Sequence, residues 1–264
     1  FSELQSTHII LCCFKSLFTT WESDGYANLI KACGGHGYSQ YSGLPFIYTE
    51  MFSHQILEGD NSVLLLQATR YLIKCFARLQ KGDTKKIVGN FEFVVHYQQH
   101  MEKVIPEDES CTQLDNIVAM FKKSTCYLLQ KLGMKLFALN QQHKDGKKVW
   151  DTMTGVENHI VGRTFAVQLI LESAQRSFES ISCPTVKAAV SRLLQLQAIN
   201  LVEEHSNVLL VSGALTQGHP EFFTQRKLQL LEEITPDALV LAEAMQWPDD
   251  FLNSAIGTSD KNPY

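Results

Sequence analysis

Two clusters in the first part of the chain hold the residue types that could do chemistry. In Ala32-Cys33-Gly34-Gly35-His36-Gly37-Tyr38, three glycines sit within four positions beside a thiol and an imidazole. Glycine at that density lets a backbone turn sharply and approach another group with no Cβ between them, which suits a flat or phosphate-bearing ligand. A tight interhelical loop is the other use of such a turn. The second cluster, Leu57-Glu58-Gly59-Asp60-Asn61, sets a carboxylate just before a helix start. Asp60 or Asn61 can cap the apolar run that begins at Val63, and the start of that helix offers unpaired N–H groups where a phosphate could sit. Capping accounts for Asp60 and Asn61 but not for Glu58 and Gly59. Elsewhere, His8 and Cys12 lie four apart on one helix, yet no partner acid or second histidine has matching spacing. They read as structural, as do His54 and the other histidines, and no metal site is expected.

Elements that must position these clusters follow from periodicity. Residues 1 to about 32 carry Leu4, Ile9, Leu11, Phe14, Leu17, Phe18 and Trp21 at the spacing of a core helix. A short apolar helix runs through Phe46, Ile47, Tyr48, Met51 and Phe52 up to Glu58. After Asn61 the positions Leu64, Leu65, Ala68, Leu72, Cys75, Phe76 and Leu79 mark one face of a helix that stops near Lys81-Gly82-Asp83. The pattern weakens from Lys85 to Glu109, and the charged stretch Pro106-Glu107-Asp108-Glu109 places a boundary there.

A long helix over 114–139 follows, buried through positions such as Ile117, Phe121, Leu129 and Leu136, with Lys122, Lys123, Lys131 and Lys135 as a solvated stripe. Thr154-x-x-Glu157 has the form of a capping box opening the next helix. Pro184 fits a first helical turn. Val208-Leu209-Leu210-Val211 has strand-forming residue types, but in this context reads as helix. Gly218-His219-Pro220 is a turn before a helix from Phe222 to Ile234, and Thr235-Pro236 reads as an N-cap followed by proline in the first turn. The chain is all-α, with one helical bundle over 1–106 and a second over 107–264.

Composition narrows the function classes. The 264 residues are 45% hydrophobic and 19% charged, enough to bury a large core. A formal net charge of −5 supplies no basic field for nucleic acid. No apolar run reaches the roughly 18 to 20 residues that span a bilayer, the best being broken by Lys15, Arg70 or Lys131. The seven cysteines, an odd number with no Cys-x-x-Cys, read as free thiols of a reducing compartment.

The two clusters together resemble the acyl-CoA oxidase family. Cys33-Gly34-Gly35-His36-Gly37-Tyr38, Ser42-Gly43-Leu44-Pro45, Glu58-Gly59-Asp60-Asn61 and the continuation Val63-Leu64-Leu65-Leu66-Gln67, Arg70-Tyr71-Leu72 and Lys74 carry the likeness. A second match, Ile234-Thr235-Pro236-Asp237-Ala238-Leu239 with Leu252-Asn253-Ser254-Ala255-Ile256-Gly257, extends it over nearly the whole chain. The resemblance implies the C-terminal half of such an oxidase: an acyl-CoA dehydrogenase-like helical bundle followed by a second, oxidase-type bundle. It implies that two domains precede Phe1, that the family continues past Tyr264, and that the home is the peroxisome, although no Ser-Lys-Leu address is present.

What it implies chemically is dehydrogenation of a fatty acyl-CoA to the trans-2-enoyl-CoA, with oxygen reduced to hydrogen peroxide. Glu58 matches the family's catalytic carboxylate, which removes the α-proton. Flanked by Ile56 and Leu57, it would lose solvation and gain basicity. Cys33, Gly34, Gly35, His36 and Gly37 match the turn that approaches FAD, Asp60 and Asn61 match positions beside its nucleotide part, and Gly59 would let the thioester pass close. Since the flavin site is shared between subunits in the family, a homodimer or related heterodimer is expected.

Leu57, where the family often has an aromatic residue, and the approach His54-Gln55-Ile56 depart from the family pattern and bear on pocket shape and chain length. Two other readings stand beside this one: a non-catalytic scaffold or assembly subunit derived from the same fold, for which a mitochondrial home is open, and an acyl-CoA dehydrogenase, disfavoured by the long tail from residue 107.

Overall fold

The helices that the periodicity demands are present in a computed structural model that describes residues 2–246 together with 248, 254, 255 and 257. Of the second resembling segment, Leu252, Asn253 and Ile256 lie outside the described residues. In order, the chain forms α1 (Ser2–Ala32), α2 (Gly35–Tyr38), α3 (Leu44–Ser53), α4 (Asn61–Gln80), α5 (Tyr97–Glu102), α6 (Leu114–Gln142), α7 (Gly146–Lys148), α8 (Gly155–Glu179), α9 (Pro184–Glu204), α10 (Ser206–Val211), α11 (Pro220–Ile234) and α12 (Ala238–Glu243). Short 3-10 turns fill several of the joins, and no strand occurs among the described residues.

Two compact units divide the chain, one holding residues 1–13 and 65–235, the other 14–64 and 236–264. In the first unit, α6 packs along α8, with α5, α9 and α11 around them. Its largest fully buried side chains include Phe91, Phe121, Phe165, Leu129, Leu169 and Ile199. α8 is buried all round at its centre, since every residue from Thr164 to Leu171 is buried, Gln168 included. A helix enclosed on all sides cannot be read from an apolar stripe. Gly162 on α8 meets α4 so closely that a Cβ there would stand 2.3 Å from the Leu65 carbonyl oxygen. The Thr69 hydroxyl seals that crossing by donating to the Asn158 carbonyl oxygen at 2.5 Å.

Several local expectations are corrected. α8 begins where Thr154 indicated, but no capping box forms: the Thr154 hydroxyl donates to the carbonyl oxygens of Val149 and Trp150, and Glu157 pairs with Lys135. Thr235 likewise donates back to the Leu231 carbonyl oxygen, and the N-cap position of α12 falls on Asp237, whose side chain makes no capping bond. In both cases the hydroxyl bonds back to a carbonyl of the preceding helix rather than accepting from an N–H of the next one. The lysine stripe of α6 is solvated only in part, because Lys122 pairs with Glu172 at 2.8 Å and Lys123 donates to the Lys103 carbonyl oxygen. On α1, Ile9 and Leu17 are buried, whereas Leu4, Leu11 and Phe18 are exposed.

The second unit has a different character. α3 buries none of its residues, and Phe46 and Phe52 on it are exposed. This unit carries both chemical clusters.

Candidate functional site

Glu58 sits at the end of a loop that follows α3 and precedes α4. The loop is folded on itself by Leu57 N–H donating to the Ser53 carbonyl oxygen and Asn61 N–H to that of Gln55. Its last turn is strained: Glu58 has φ 58 and Gly59 φ 102. Glycine enters that region freely, but for glutamate it costs about 1–2 kcal/mol. Strain of this size at one residue persists only where the surroundings hold it.

The surroundings are α1. The Lys15 ammonium donates to the carbonyl oxygen of Gly59 at 2.6 Å, to the side-chain oxygen of Asn61 at 2.9 Å and to the Gln55 carbonyl oxygen at 3.3 Å. The Asn61 side-chain N–H group in turn donates to the Ser16 carbonyl oxygen and to the hydroxyls of Thr19 and Thr20, at 2.9–3.0 Å. Ser16 Oγ donates to the Asn61 carbonyl oxygen. At the other end of the loop, His54, read from the sequence as structural, has Nδ1 3.3 Å from a Glu22 carboxylate oxygen, a partner 32 residues away that spacing does not reveal. Both the loop's ends and its strained turn are therefore tied to one helix.

Asp60, not Asn61, caps α4: its Oδ1 accepts from Ser62 N–H at 2.9 Å and Val63 N–H at 3.2 Å. This overturns the idea that the helix start leaves those N–H groups unpaired, and a carboxylate in that place disfavours a phosphate. Nor do Ile56 and Leu57 bury Glu58. They are 59% and 57% exposed, and the carboxylate is exposed with them. Within this chain the loop offers a solvated acid rimmed by apolar side chains.

Gly34 starts the glycine turn with φ 56, and Gly37 ends it buried against α1, where a Cβ would stand 2.1 Å from the Ile30 carbonyl oxygen. The close approach at Gly37 is thus to the chain's own backbone. Cys33, Gly34, Gly35 and His36 instead form an exposed ridge, and a Cβ on Gly34 or Gly35 would meet nothing within 4 Å. The backbone at Gly34 and Gly35 is thus left open. His8 stays structural, with Nε2 2.8 Å from the Gln67 side-chain oxygen and 3.5 Å from Cys12 Sγ. No disulfide joins the seven cysteines; burial pushes the Cys75 thiol up to about 11 and Cys126 to about 12, so neither is a ready nucleophile.

The sequence reading noticed Lys15, whose ammonium ties the Glu58 loop to α1, only as a charge that breaks an apolar run. Its acceptors lie 40 to 46 residues away, beyond any helical spacing rule. The available signal was a lysine set inside the mostly apolar stretch from Ile9 to Phe18.

A strained acidic loop and a glycine ridge on one unit of an all-helical chain define a recognisable class. The family model for acyl-CoA oxidase matches residues 113–264, and that for the acyl-CoA oxidase C-alpha1 domain matches residues 1–73. The chain belongs to the acyl-CoA oxidase family. Over its whole length it is 27% identical to peroxisomal acyl-coenzyme A oxidase 1 of Mus musculus, and 26% identical to the protein of that name in Arabidopsis thaliana. Among solved structures, acyl-CoA oxidase-2 of Caenorhabditis elegans, in complex with FAD, ascaroside-CoA and ATP, superposes with a TM-score of 0.90 at 25% identity over 100% of this chain. Acyl-CoA oxidase 1 of Arabidopsis thaliana gives the same TM-score at 23% identity over 99% of it. The chain spans about 40% of the length of these relatives, 40% of the mouse protein and 38% of the nematode structure.

Proposed function

We propose that this chain is the C-terminal part of a flavin-dependent acyl-CoA oxidase that converts a fatty acyl-CoA and O2 to the trans-2-enoyl-CoA and hydrogen peroxide, with Glu58 as the base. The observation that carries the reading is the Glu58 turn itself: a carboxylate held at positive φ by a fan of hydrogen bonds from α1, in a unit that also carries the bare glycine ridge. A fold with no use for that carboxylate would be relieved by glycine or asparagine there.

In this reading Glu58 accepts the proton from the carbon next to the thioester carbonyl, and Gly59 leaves room for the thioester beside the backbone. FAD, when bound, supplies the acceptor for the β-hydride and passes two electrons to O2, which takes up two protons to become hydrogen peroxide. The exposed ridge of Cys33, Gly34, Gly35 and His36 is the surface that would face the cofactor, with Gly37 seating the ridge on α1. The side chains of Asp60 and Asn61, the Asn61 N–H and both carbonyls are engaged within the chain, so these two residues would shape the loop beside the nucleotide part rather than bond to it. Exposed Ile56, Leu57, Phe46 and Phe52 form the apolar surface that another domain or subunit would cover, desolvating Glu58 on assembly. A homodimer or related heterodimer, a peroxisomal setting, and a division into a first bundle over 1–106 and a second over 107–264 complete the proposal.

The test is an absorbance spectrum of the complete, natively purified protein before and after a fatty acyl-CoA is added under air, with peroxide detection. A flavin band that bleaches, recovers and yields peroxide is the expected result. A folded protein with no flavin band would favour a scaffold, and bleaching without peroxide a dehydrogenase.

A further inference from the structure

We infer that Lys15 is a positioning residue for the reaction, clamping the Glu58 turn so that the carboxylate is presented in one orientation. This rests on the proposed role of Glu58. Three geometric facts support it. The ammonium group has three N–H bonds, and the acceptors it meets come from both sides of Glu58: the Gln55 carbonyl before it, the Gly59 carbonyl immediately after it, and the Asn61 side chain. The residue so bracketed is the one non-glycine residue of the loop at positive φ. And Lys15 itself is fixed in place, since it belongs to the long helix α1 and its own carbonyl oxygen accepts from Thr19 Oγ1 at 2.8 Å.

A purely structural fastening has no need of a charge here. Asn61 already ties the loop to Ser16, Thr19 and Thr20, and the carbonyls of a surface loop can be satisfied by water. A half-buried lysine loses solvation, and burial does lower the Lys15 pKa, an effect opposed by Asp60 and Glu58. What the ammonium adds over water is direction. It holds the Gly59 carbonyl, and with it the Gly59–Asp60 peptide, toward α1, which together with the bond to the Gln55 carbonyl fixes the backbone on both sides of Glu58. A misplacement of about 1 Å at a reacting group can cost on the order of 100-fold in rate.

The experiment uses the complete flavoprotein and the variants Lys15→Met, Lys15→Arg and Glu58→Gln. Two quantities are read: the rate constant for flavin reduction by a fatty acyl-CoA in a single anaerobic turnover, and the long-wavelength absorbance that develops with an analogue bearing sulfur in place of the β-carbon. That analogue can lose its α-proton but cannot deliver a hydride, so its band reports proton removal alone. Lys15→Met should keep its flavin and hold its acyl-CoA KM within about threefold, yet lose roughly 10- to 100-fold in flavin reduction and most of the band. Lys15→Arg, which restores charge and donors, should recover most of both.

Unchanged reduction and a full band in Lys15→Met would overturn the assignment. So would a loss of flavin, binding and rate in parallel that Lys15→Arg fails to repair, because that is the signature of a fastening only. If Lys15→Met does not fold, Lys15→Gln carries the same two readouts with the same expected loss. Glu58→Gln separates the two levels of the argument. An active Glu58→Gln removes the base and Lys15 with it, whereas an inactive Glu58→Gln beside a fully active Lys15→Met sinks only the role of Lys15.

Discussion

Gly35 and Gly37 belong to one turn and should respond to alanine in opposite ways. At Gly37 the new Cβ would stand 2.1 Å from the Ile30 carbonyl oxygen, 2.8 Å from its carbon and 3.0 Å from its Cα. An ordinary carbon–oxygen contact is about 3.2 Å, so the turn or the end of α1 must move by roughly 1 Å, and no flexible side chain can absorb it. Overpacking against backbone belongs at the upper end of the usual range, about 2–3 kcal/mol, which at about 2–4 °C per kcal/mol lowers the melting temperature by roughly 4–12 °C. At Gly35 nothing lies within 4 Å and the backbone is helical. There alanine should be neutral for folding or stabilising by up to about 1 kcal/mol. The assay is thermal unfolding of the complete protein with each substitution, alongside flavin content. Gly37→Ala should melt early, while Gly35→Ala should melt at or above the parent temperature and yet hold FAD less well, because its methyl group intrudes on the ridge proposed to face the cofactor. Equal melting of the two variants would refute the packing argument, and full flavin retention in Gly35→Ala would refute the facing of the ridge.

Two further outcomes follow from the same geometry. Glu58→Gly should be more stable than Glu58→Ala by roughly 0.5–1 kcal/mol in urea unfolding, reversing the usual order, because relief of about 1–2 kcal/mol at positive φ exceeds glycine's extra unfolded-state entropy of about 0.4–1 kcal/mol; alanine the more stable would mean the turn is unstrained. The hydrogen bond from Lys135 holds the Glu157 carboxyl below its ordinary value, so its stabilisation is fully present above the unfolded carboxylate pKa of about 4.3 and is lost as pH falls through the lower, folded value. Both side chains are more than a third exposed. Glu157→Gln should therefore cost under about 1 kcal/mol at pH 7 and nothing at pH 2, and a gap that grows on acidification would contradict the pairing.

Local rules carried the fold a long way because most of it is made of amphipathic helices ended by glycine, proline or charge. The stops at Gly34 and Gly82 and the starts at Pro184 and after Asp60 were legible for that reason. What the rules could not supply is anything set by meeting of distant segments. α8 is enclosed, so its polar Gln168 and Thr164 are buried against any stripe pattern. Thr154 and Thr235 stand where a cap is written, but their hydroxyls turn back to the preceding helix. In the site, the residues themselves were visible in the two clusters, and so was the cap on α4. The clamp was not, because Lys15 and Asn61 are 46 residues apart and joined only when α1 lies beside the loop. Nor was the exposure of Glu58, since neighbours in sequence do not enclose a side chain unless the chain folds them over it.

The central claim, that Glu58 removes the α-proton of an acyl-CoA beside a bound flavin, is tested most directly by Glu58→Gln in the complete protein. Glutamine keeps the size and the positive-φ backbone of the turn while removing the proton acceptor. The expected result is a yellow, folded protein with its full FAD content that shows no bleaching when a fatty acyl-CoA is added without air. Bleaching at the parent rate would contradict the account and strip Glu58 of its role.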